Sequence, residues 1–333
     1  MILEDPKLVS KPIISVTILA YNHERYIRQC LDSILSQKVN VPWEVIIGED
    51  CSKDNTREIL KDYQKRYPER IRLVLHEMNQ GLMKNYRCVK GLCRGEYIAQ
   101  ISGDDFWIDE YKLQKQYDVL QQHPDVDLCY TNTYTCDDNG VIEKRSMLQK
   151  EEVTFESHLF AAGYFAPLSW MFRKLVLSYV NLEPWFTDES FAVALDVLAK
   201  SKVYFINEPM TVYRCRMGSA ASPIQTDAKW RYRLGILRMQ LYYADKYKFT
   251  KDLLWKLKIQ VYATNYMLAY EAGDEAFMKE AEAFFAESGL NMQAFIASGK
   301  EYVDYKMQFI GVKQSHAYNL GKKLLKPFKK LKG

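Results

Sequence analysis

The sequence predicts an α/β protein: a mostly parallel, doubly wound sheet over roughly the first 110 residues, followed by a helical C-terminal extension. Three observations carry this. Short β-branched runs, of the kind buried on both faces of a parallel sheet, alternate with stretches of helical apolar spacing. Polar, turn-forming loops separate them. From about Asp227 onward helical spacing dominates.

Ile13-Ile14-Ser15-Val16-Thr17-Ile18-Leu19 reads as the first strand. After the loop 20–24, apolar residues at 27, 30, 31, 34 and 35 predict a helix from Tyr26 to Leu35. Trp43 to Gly48 is the second strand, and the polar loop after it offers Asp54 or Asn55 as cap for a helix from Thr56 to Tyr67. Ile71 to Leu75 is the third strand. It leads through Asn79-Gln80-Gly81 into a helix from about Met83 to Cys93, closed by Gly95. Tyr97 to Ile101 is the fourth strand, and it breaks off in Ser102-Gly103-Asp104-Asp105-Phe106-Trp107.

Beyond it, Leu113 to His123 reads as a helix, and Val126 to Thr135 as a strand ending at the turn Asp137-Asp138-Asn139-Gly140. A charged linker follows, with Glu143-Lys144-Arg145 and Lys150-Glu151-Glu152. Ser169 to Arg173 is the next strand, and Val203 to Ile206 and Met210 to Arg214 read as two further short ones. Helical spacing then runs over 230–247, 251–272 and 274–288.

Bulk properties bound the function. The 333 residues are 48% apolar, ample for a sizeable core, and the 24 Tyr, 15 Phe and 6 Trp suit stacking on sugars as well as plain core packing. A net charge of +4, evenly spread, is no nucleic-acid footprint outside the extreme C-terminus. The seven cysteines are odd in number, scattered and without a CxxC pair, which reads as reduced structural thiols. No run reaches 18 apolar residues, and the N-terminus lacks a basic region followed by an apolar core, so the expectation is a cytoplasmic chain.

Three loops sit at strand carboxyl ends: 20–24, 49–55 and 102–107. In a doubly wound sheet such loops converge. The first offers small, polar and aromatic groups, the second Asp50 and the third Asp104. A nucleotide base, a ribose and a metal-bound pyrophosphate need groups of that kind, since hard divalent cations bridging phosphates take carboxylate oxygens. An Asp-Asp pair after a strand is also compatible with a turn or a helix cap.

With these motifs in place, the first 110 residues resemble the GT-A nucleotide-sugar domain of inverting family 2 glycosyltransferases. Val16 to Asn22 resembles the opening strand and base-binding loop, and Leu31 to Gln37 the first helix. Glu44 to Thr56 resembles the family's EIIIVDDGSTDNT segment, which implies that Asp50 contacts the nucleobase. Asn79-Gln80-Gly81 and Asn85 resemble the Asn-x-Gly element before the metal strand. The resemblance assigns nucleotide binding to Ala20, Tyr21, Asn22, Glu24, Asp50, Asn79, Gly81, Asn85, Ser102 and Gly103. It implies a domain over 1–225, with 1–110 as the nucleotide-sugar half and 111–225 as the acceptor half, and a helical region over 226–333.

The family's Asp-x-Asp motif stands here as Ser102-Gly103-Asp104, so the metal position for Mg2+ or Mn2+ falls to Asp104 alone. Asp105-Phe106-Trp107 resembles a subgroup with a Gly-Asp-Asp-aromatic-Trp run. Inversion at an anomeric carbon needs a carboxylate to take the acceptor's proton. The resemblance points to Asp188 at the start of the helix Asp188 to Ala199, with Glu189 and Asp196 as fallbacks and a plain N-cap as the competing role for Asp188. Tyr213-Arg214-Cys215-Arg216 resembles the Tyr-Arg-x-His element, with Arg216 in the His place. Asp105, Trp107, Trp170, Arg214 and Arg216 are assigned to the diphosphate or acceptor, with the loop 163–167 as a further groove wall.

The expected partners are a nucleotide-sugar donor, a UDP-sugar first, and a glycan or lipid-linked acceptor of a bacterial surface polysaccharide such as capsule or O-antigen. The tail from Leu320 to Lys332 interleaves lysines with Leu and Phe, which suits a peripheral contact with anionic lipid or a solvated terminus. Two other readings share these features. One is a non-catalytic nucleotide- or glycan-binding module. The other is a sugar nucleotidyltransferase, against which stands the absence of a Gly-rich N-terminal loop followed by Arg and Lys.

Overall fold

The computed structural model describes residues 1–147, 153–160, 165–216 and 225–291. In chain order the first elements are β1 (Ile2–Leu3), β2 (Ile14–Ala20), α1 (Ile27–Leu35), β3 (Trp43–Glu49), α2 (Thr56–Arg66), β4 (Ile71–Leu75), α3 (Leu82–Gly91) and β5 (Tyr97–Ser102). There follow β6 (Phe106–Trp107), α4 (Lys112–Gln122), β7 (Val126–Cys136), β8 (Ile142–Met147), α5 (Phe155–Phe160), β9 (Met171–Arg173), α6 (Val176–Tyr179), α7 (Glu189–Lys200) and β10 (Lys202–Arg214). The last three are α8 (Thr226–Lys246), α9 (Lys251–Glu271) and α10 (Glu275–Glu287). The chain divides into two compact units, 1–216 and 217–333.

In the first unit the strands form one sheet in the order β1-β4-β3-β2-β5-β9-β7-β10-β6, with β8 on β7. β2 pairs in parallel with β3 on one side and β5 on the other, and β3 pairs in parallel with β4. The chain therefore winds outward through β3 and β4 and then returns to the far side of β2. That reversal is a topological switch point, where strand-end loops splay apart and leave a crevice. Register puts Ala20 opposite Glu49 and Leu19 opposite Ser102, so the loops after β2, β3 and β5 lie side by side.

Alternation along each strand sends residues to opposite faces. Val45 and Ile47 join Ile27, Leu31, Ile34, Leu60 and Leu113 in one core cluster, covered by α1, α2 and α4. Ile46 and Ile98 join Tyr86, Val89, Val193 and Val197 in a second, covered by α3 and α7. Each fully buried aliphatic side chain contributes roughly 1.5–3 kcal/mol. The sheet is thus covered on both faces.

Several boundaries differ from the sequence expectation. The stretch expected to hold two short strands after Lys202 is one strand, β10, pairing in parallel with β7 and bulged at Pro209. Proline lacks the ladder donor, so it interrupts pairing without ending the strand. Gly95 does not close α3, whose C-cap is Leu92. Instead a Cβ there would stand 2.6 Å from the Ser15 nitrogen and 2.8 Å from the Ile14 carbonyl carbon, so glycine lets the turn before β5 lie against β2. Ser169 belongs to a short 3-10 turn, Pro167–Ser169, ahead of β9.

The second unit's described part is α8 to α10. Asp274 caps α10 by accepting from Phe277 N at 2.9 Å and takes the Trp230 indole N–H at 2.8 Å. Lys150, Glu151, Glu152, Gly163, Tyr164 and the tail 320–332 lie outside the described residues.

Candidate active site at the strand ends

Asp50 follows β3 and is buried. Its carboxylate accepts from Gln80 N at 2.7 Å and Gly81 N at 2.9 Å, and its carbonyl from Asn79 Nδ2 at 3.2 Å. One acidic side chain thus folds the 79–81 loop against the end of β3. Gly81 has φ +79, a backbone that an L side chain adopts only with strain. Asn85 lies deeper: it donates to Gly48 O at 2.9 Å, and its Oδ1 faces His76 Nε2 at 3.1 Å. It holds α3 to β3 from the interior and does not reach the crevice.

The loop after β2 is tied to the loop after β3. Asn22, at φ 55, donates its backbone N–H to Ser52 Oγ at 3.0 Å, and its Oδ1 accepts from Lys53 N at 2.8 Å. Glu24 accepts from Asn55 N at 2.8 Å and donates its own N–H to Asp54 at 3.0 Å. Ala20 is buried and its carbonyl takes Asp50 N, while Tyr21 stands exposed at the rim. These bonds are spent on shaping two adjacent loops.

At the end of β5, Ser102 Oγ donates to Asp104 Oδ1 at 2.5 Å. Arg216 Nε donates to Asp104 Oδ2 at 2.7 Å, and Arg216 Nη2 lies 2.9 Å from His23 Nε2. Burial opposes ionisation of Asp104, but His23, Arg216 and Ser102 together hold its pKa below the ordinary carboxylate value. Asp105 differs: burial and then the charge of Asp104 push it well above, although it accepts Arg214 N at 2.8 Å. Two adjacent carboxyls are thus pushed in opposite directions. Gly103, between Ser102 and Asp104, is required by space, for a Cβ would meet His23 Nδ1 at 2.7 Å.

Strand β10 brings the arginines. Val212 lies opposite Phe106 and Arg214 opposite Cys136, which carries the chain past Asp105. Arg214 is buried; its Nε donates to Asp104 O at 2.9 Å, Nη1 to Asp137 O at 3.3 Å and Asp138 O at 3.2 Å, and Nη2 to Gln29 Oε1 at 2.7 Å. Its guanidinium lies over the Tyr26 ring. Every side-chain nitrogen is engaged within the fold. Arg214 therefore fastens α1, the turn at 103–105 and the turn at 137–140 together.

Asp188 is the N-cap of α7: Oδ1 accepts from Phe191 N at 2.9 Å and from Ser190 Oγ at 2.6 Å. It is half-buried. Burial raises the Tyr213 phenol, and the charges of Asp105, Asp104, Cys215 and Asp188 add to the rise. Glu189 is buried, and burial followed by the charge of Asp188 pushes it up to about 8; its other electrostatic partner is Lys90, which is fixed to Thr17 and Gln100 in the interior. Asp196 is the other fallback. It is fully buried and accepts Asn181 N at 3.3 Å.

Two tryptophans assigned to the diphosphate or acceptor group line no groove. Trp170 is 0% exposed, packed on Phe165 in the core, and Trp107 is 3% exposed with its indole N–H on Leu168 O. Their size and the apolar strands around them drove burial. Conversely, His23, Tyr26 and Gln29 enter the site without having been singled out. The usable signal for His23 was its place between Asn22 and Glu24 at a strand end, but nothing in the sequence marks Tyr26 and Gln29, which earn their positions through residues over a hundred positions away.

Residues 15–179 match the family model described as glycosyl transferase family 2. An uncharacterized protein of Mycobacterium tuberculosis is 41% identical over 35% of this chain and 34% of its own length. The chain thus spans about a third of the first curated relatives it matches. TuaG of Bacillus subtilis, a glycosyltransferase assigned to teichuronic acid biosynthesis, is 29% identical over 64% of this chain and 82% of its own. Among solved structures, S. aureus TarS 1-349 in complex with UDP-GlcNAc superposes with a TM-score of 0.55 at 15% identity, covering 83% of this chain and 92% of that one. The mannosyltransferase PcManGT from Pyrobaculum calidifontis, in complex with GDP-Man and Mn2+, gives 0.55 at 16%, covering 98% and 90%. At such identities the two structures establish the GT-A fold. By the match over residues 15–179, the chain belongs to the family 2 glycosyl transferases.

Proposed function

We propose that the chain transfers a sugar from a nucleotide-sugar donor, a UDP-sugar first, to a glycan or lipid-linked acceptor with inversion at the anomeric carbon. The observation that carries this reading is the convergence at the switch point of the Asp50 loop, the Ser102-Asp104 corner and Arg216. The Asp50 and Asn22 loops receive base and ribose. Arg216, with a planar fork suited to phosphate oxygens, meets the diphosphate.

In the transfer the acceptor oxygen bonds to the anomeric carbon while the bond from that carbon to the diphosphate oxygen breaks. The acceptor's proton passes to the Asp188 carboxylate. Its Oδ1 is fixed by the helix cap, which sets the carboxylate's direction. Glu189 is the weaker choice of base because its carboxyl belongs to the interior beside Lys90.

The residues fit Mg2+ or Mn2+ through a single carboxylate. Asp104 is the carboxyl held below its ordinary pKa, and among the described residues no group of three or more His, Cys, Asp or Glu could hold an ion. Ions of this type keep several waters and take phosphate oxygens, so one protein carboxylate is sufficient. When bound, such an ion supplies positive charge to the departing diphosphate.

The test is release of nucleoside diphosphate from a panel of nucleotide sugars with Mn2+, with and without EDTA. Release from one donor, suppressed by EDTA, is expected; no release from any donor together with no UDP binding by calorimetry overturns the reading in favour of a non-catalytic module. For the base, Asp188→Asn is expected to lower turnover roughly 100-fold or more with donor affinity retained. Turnover within a few fold of the parent would assign Asp188 to capping alone.

A further inference from the structure

Arg216 sits on two acceptors at once. Nε is 2.7 Å from Asp104 Oδ2, and Nη2 is 2.9 Å from His23 Nε2, while His23 Nε2 and Asp104 Oδ2 are 3.7 Å apart. A guanidinium only donates, so His23 Nε2 accepts and the ring proton is on Nδ1. That nitrogen is buried, and among the described residues it has no hydrogen-bond partner. Leaving a buried N–H unpaired costs free energy. The backbone is fixed by His23 N–H on Thr56 Oγ1 at 2.8 Å, and the ring is nevertheless held in this orientation by close packing of Nδ1 over Gly103. The arrangement keeps Nε2 aimed at Arg216.

The Arg216 side chain retains 19% exposure, whereas Arg214 is buried with every nitrogen engaged. Arg216 can therefore change partners and Arg214 cannot. Asp104, the carboxylate that fits a cation, has Oδ2 taken by Arg216 and Oδ1 by Ser102. An incoming cation meets a guanidinium already on that oxygen.

We propose that His23 and Asp104 form a seat in which the Arg216 guanidinium stands in for the divalent cation, and that a nucleoside diphosphate empties the seat by drawing Arg216 onto its phosphates. Asp104 then takes the cation only with the diphosphate present. His23 is a positioning residue in this scheme, acting through Arg216. The second half rests on the proposed donor reading; the seat itself does not.

The test is Mn2+ uptake by the full chain, read from the loss of the free-ion electron paramagnetic resonance signal. Without nucleotide, Arg216→Gln should bind Mn2+ at least about tenfold more tightly than the parent, the size of one lost charge-assisted contact competing for the site. The gain should vanish in the double variant with Asp104→Asn. Equal uptake by parent and Arg216→Gln, or a gain that survives Asp104→Asn, overturns the seat. His23→Ala should also admit Mn2+, and His23→Gln, which keeps an acceptor, should restore exclusion; exclusion by His23→Ala equal to the parent removes His23 from the scheme. Adding UDP to the parent should raise Mn2+ affinity about tenfold or more. If UDP binds without that rise, the exchange is overturned. If UDP does not bind while the Arg216→Gln gain holds, the donor reading fails and the seat stands.

Discussion

Ser102 shows how one side chain reorganises an acidic corner. A carboxylate at this position would add a third carboxyl beside Asp104 and Asp105, raising the cost of ionising any of them. The hydroxyl donates to Asp104 Oδ1 instead, so it orients the acid it accompanies. Arg214 is the other decisive residue at this scale. Its fork reaches Asp104 O, Asp137 O, Asp138 O and Gln29 Oε1, which a lysine ammonium at the end of a flexible stem cannot span together. Arg214→Lys should therefore lower stability by about 3 kcal/mol, the scale of leaving buried acceptors unpaired. The midpoint of urea denaturation measures it, and an unchanged midpoint would show that the fork is dispensable.

At the scale of elements, the start of α7 combines a capping acid with a buried one. Glu189 has its folded pKa raised from 4.5 to about 8, first by burial. A group raised in the fold contributes stability that is full below its unfolded pKa and is lost as pH rises through the folded value. Its contribution thus declines between 4.5 and about 8. Glu189→Gln keeps the shape without the ionisation, so its stability relative to the parent should increase over that window by a few kcal/mol, roughly the value of the shift. Parallel denaturation curves at several pH values check this. A parent–variant difference independent of pH would mean that Glu189 titrates as an ordinary exposed acid.

Element order was largely legible because periodicity is a local signal. The strands at 14–20, 43–49, 71–75 and 97–102 are rich in apolar and β-branched residues, and the helices between them carry apolar stripes. The bulge at Pro209 was not, because Asn207-Glu208-Pro209 has the composition of a turn while pairing with β7 carries the strand through it. Gly95 misled for a related reason: a glycine after a helix is usually a cap, and here the backbone of β2 demanded it.

For the whole molecule, the described helices include none long and apolar enough to cross a membrane. The lysine-rich tail from Leu320 to Lys332 is the sequence feature that suits a membrane surface. Each lysine near anionic lipid contributes about 1 kcal/mol. Truncation after Tyr318 should then weaken cosedimentation with anionic vesicles, most strongly at low salt; sedimentation equal to that of the full chain rejects the contact.

The sequence by itself determined the alternation of strands and helices, the strand-end loops carrying Asp50 and Asp104, and the family to which they belong. These are short-range properties: apolar period, turn chemistry and residues adjacent in the chain. Only the tertiary structure decided which groups meet. It joined His23 to Arg216 across the switch point, spent Arg214 and Asn85 inside the fold, and buried Trp107 and Trp170 in the core. The physical reason is that pairing in the sheet sets these neighbours. β10 comes in beside β7 and β6, both far from it in the chain, and no local pattern records where a strand will dock.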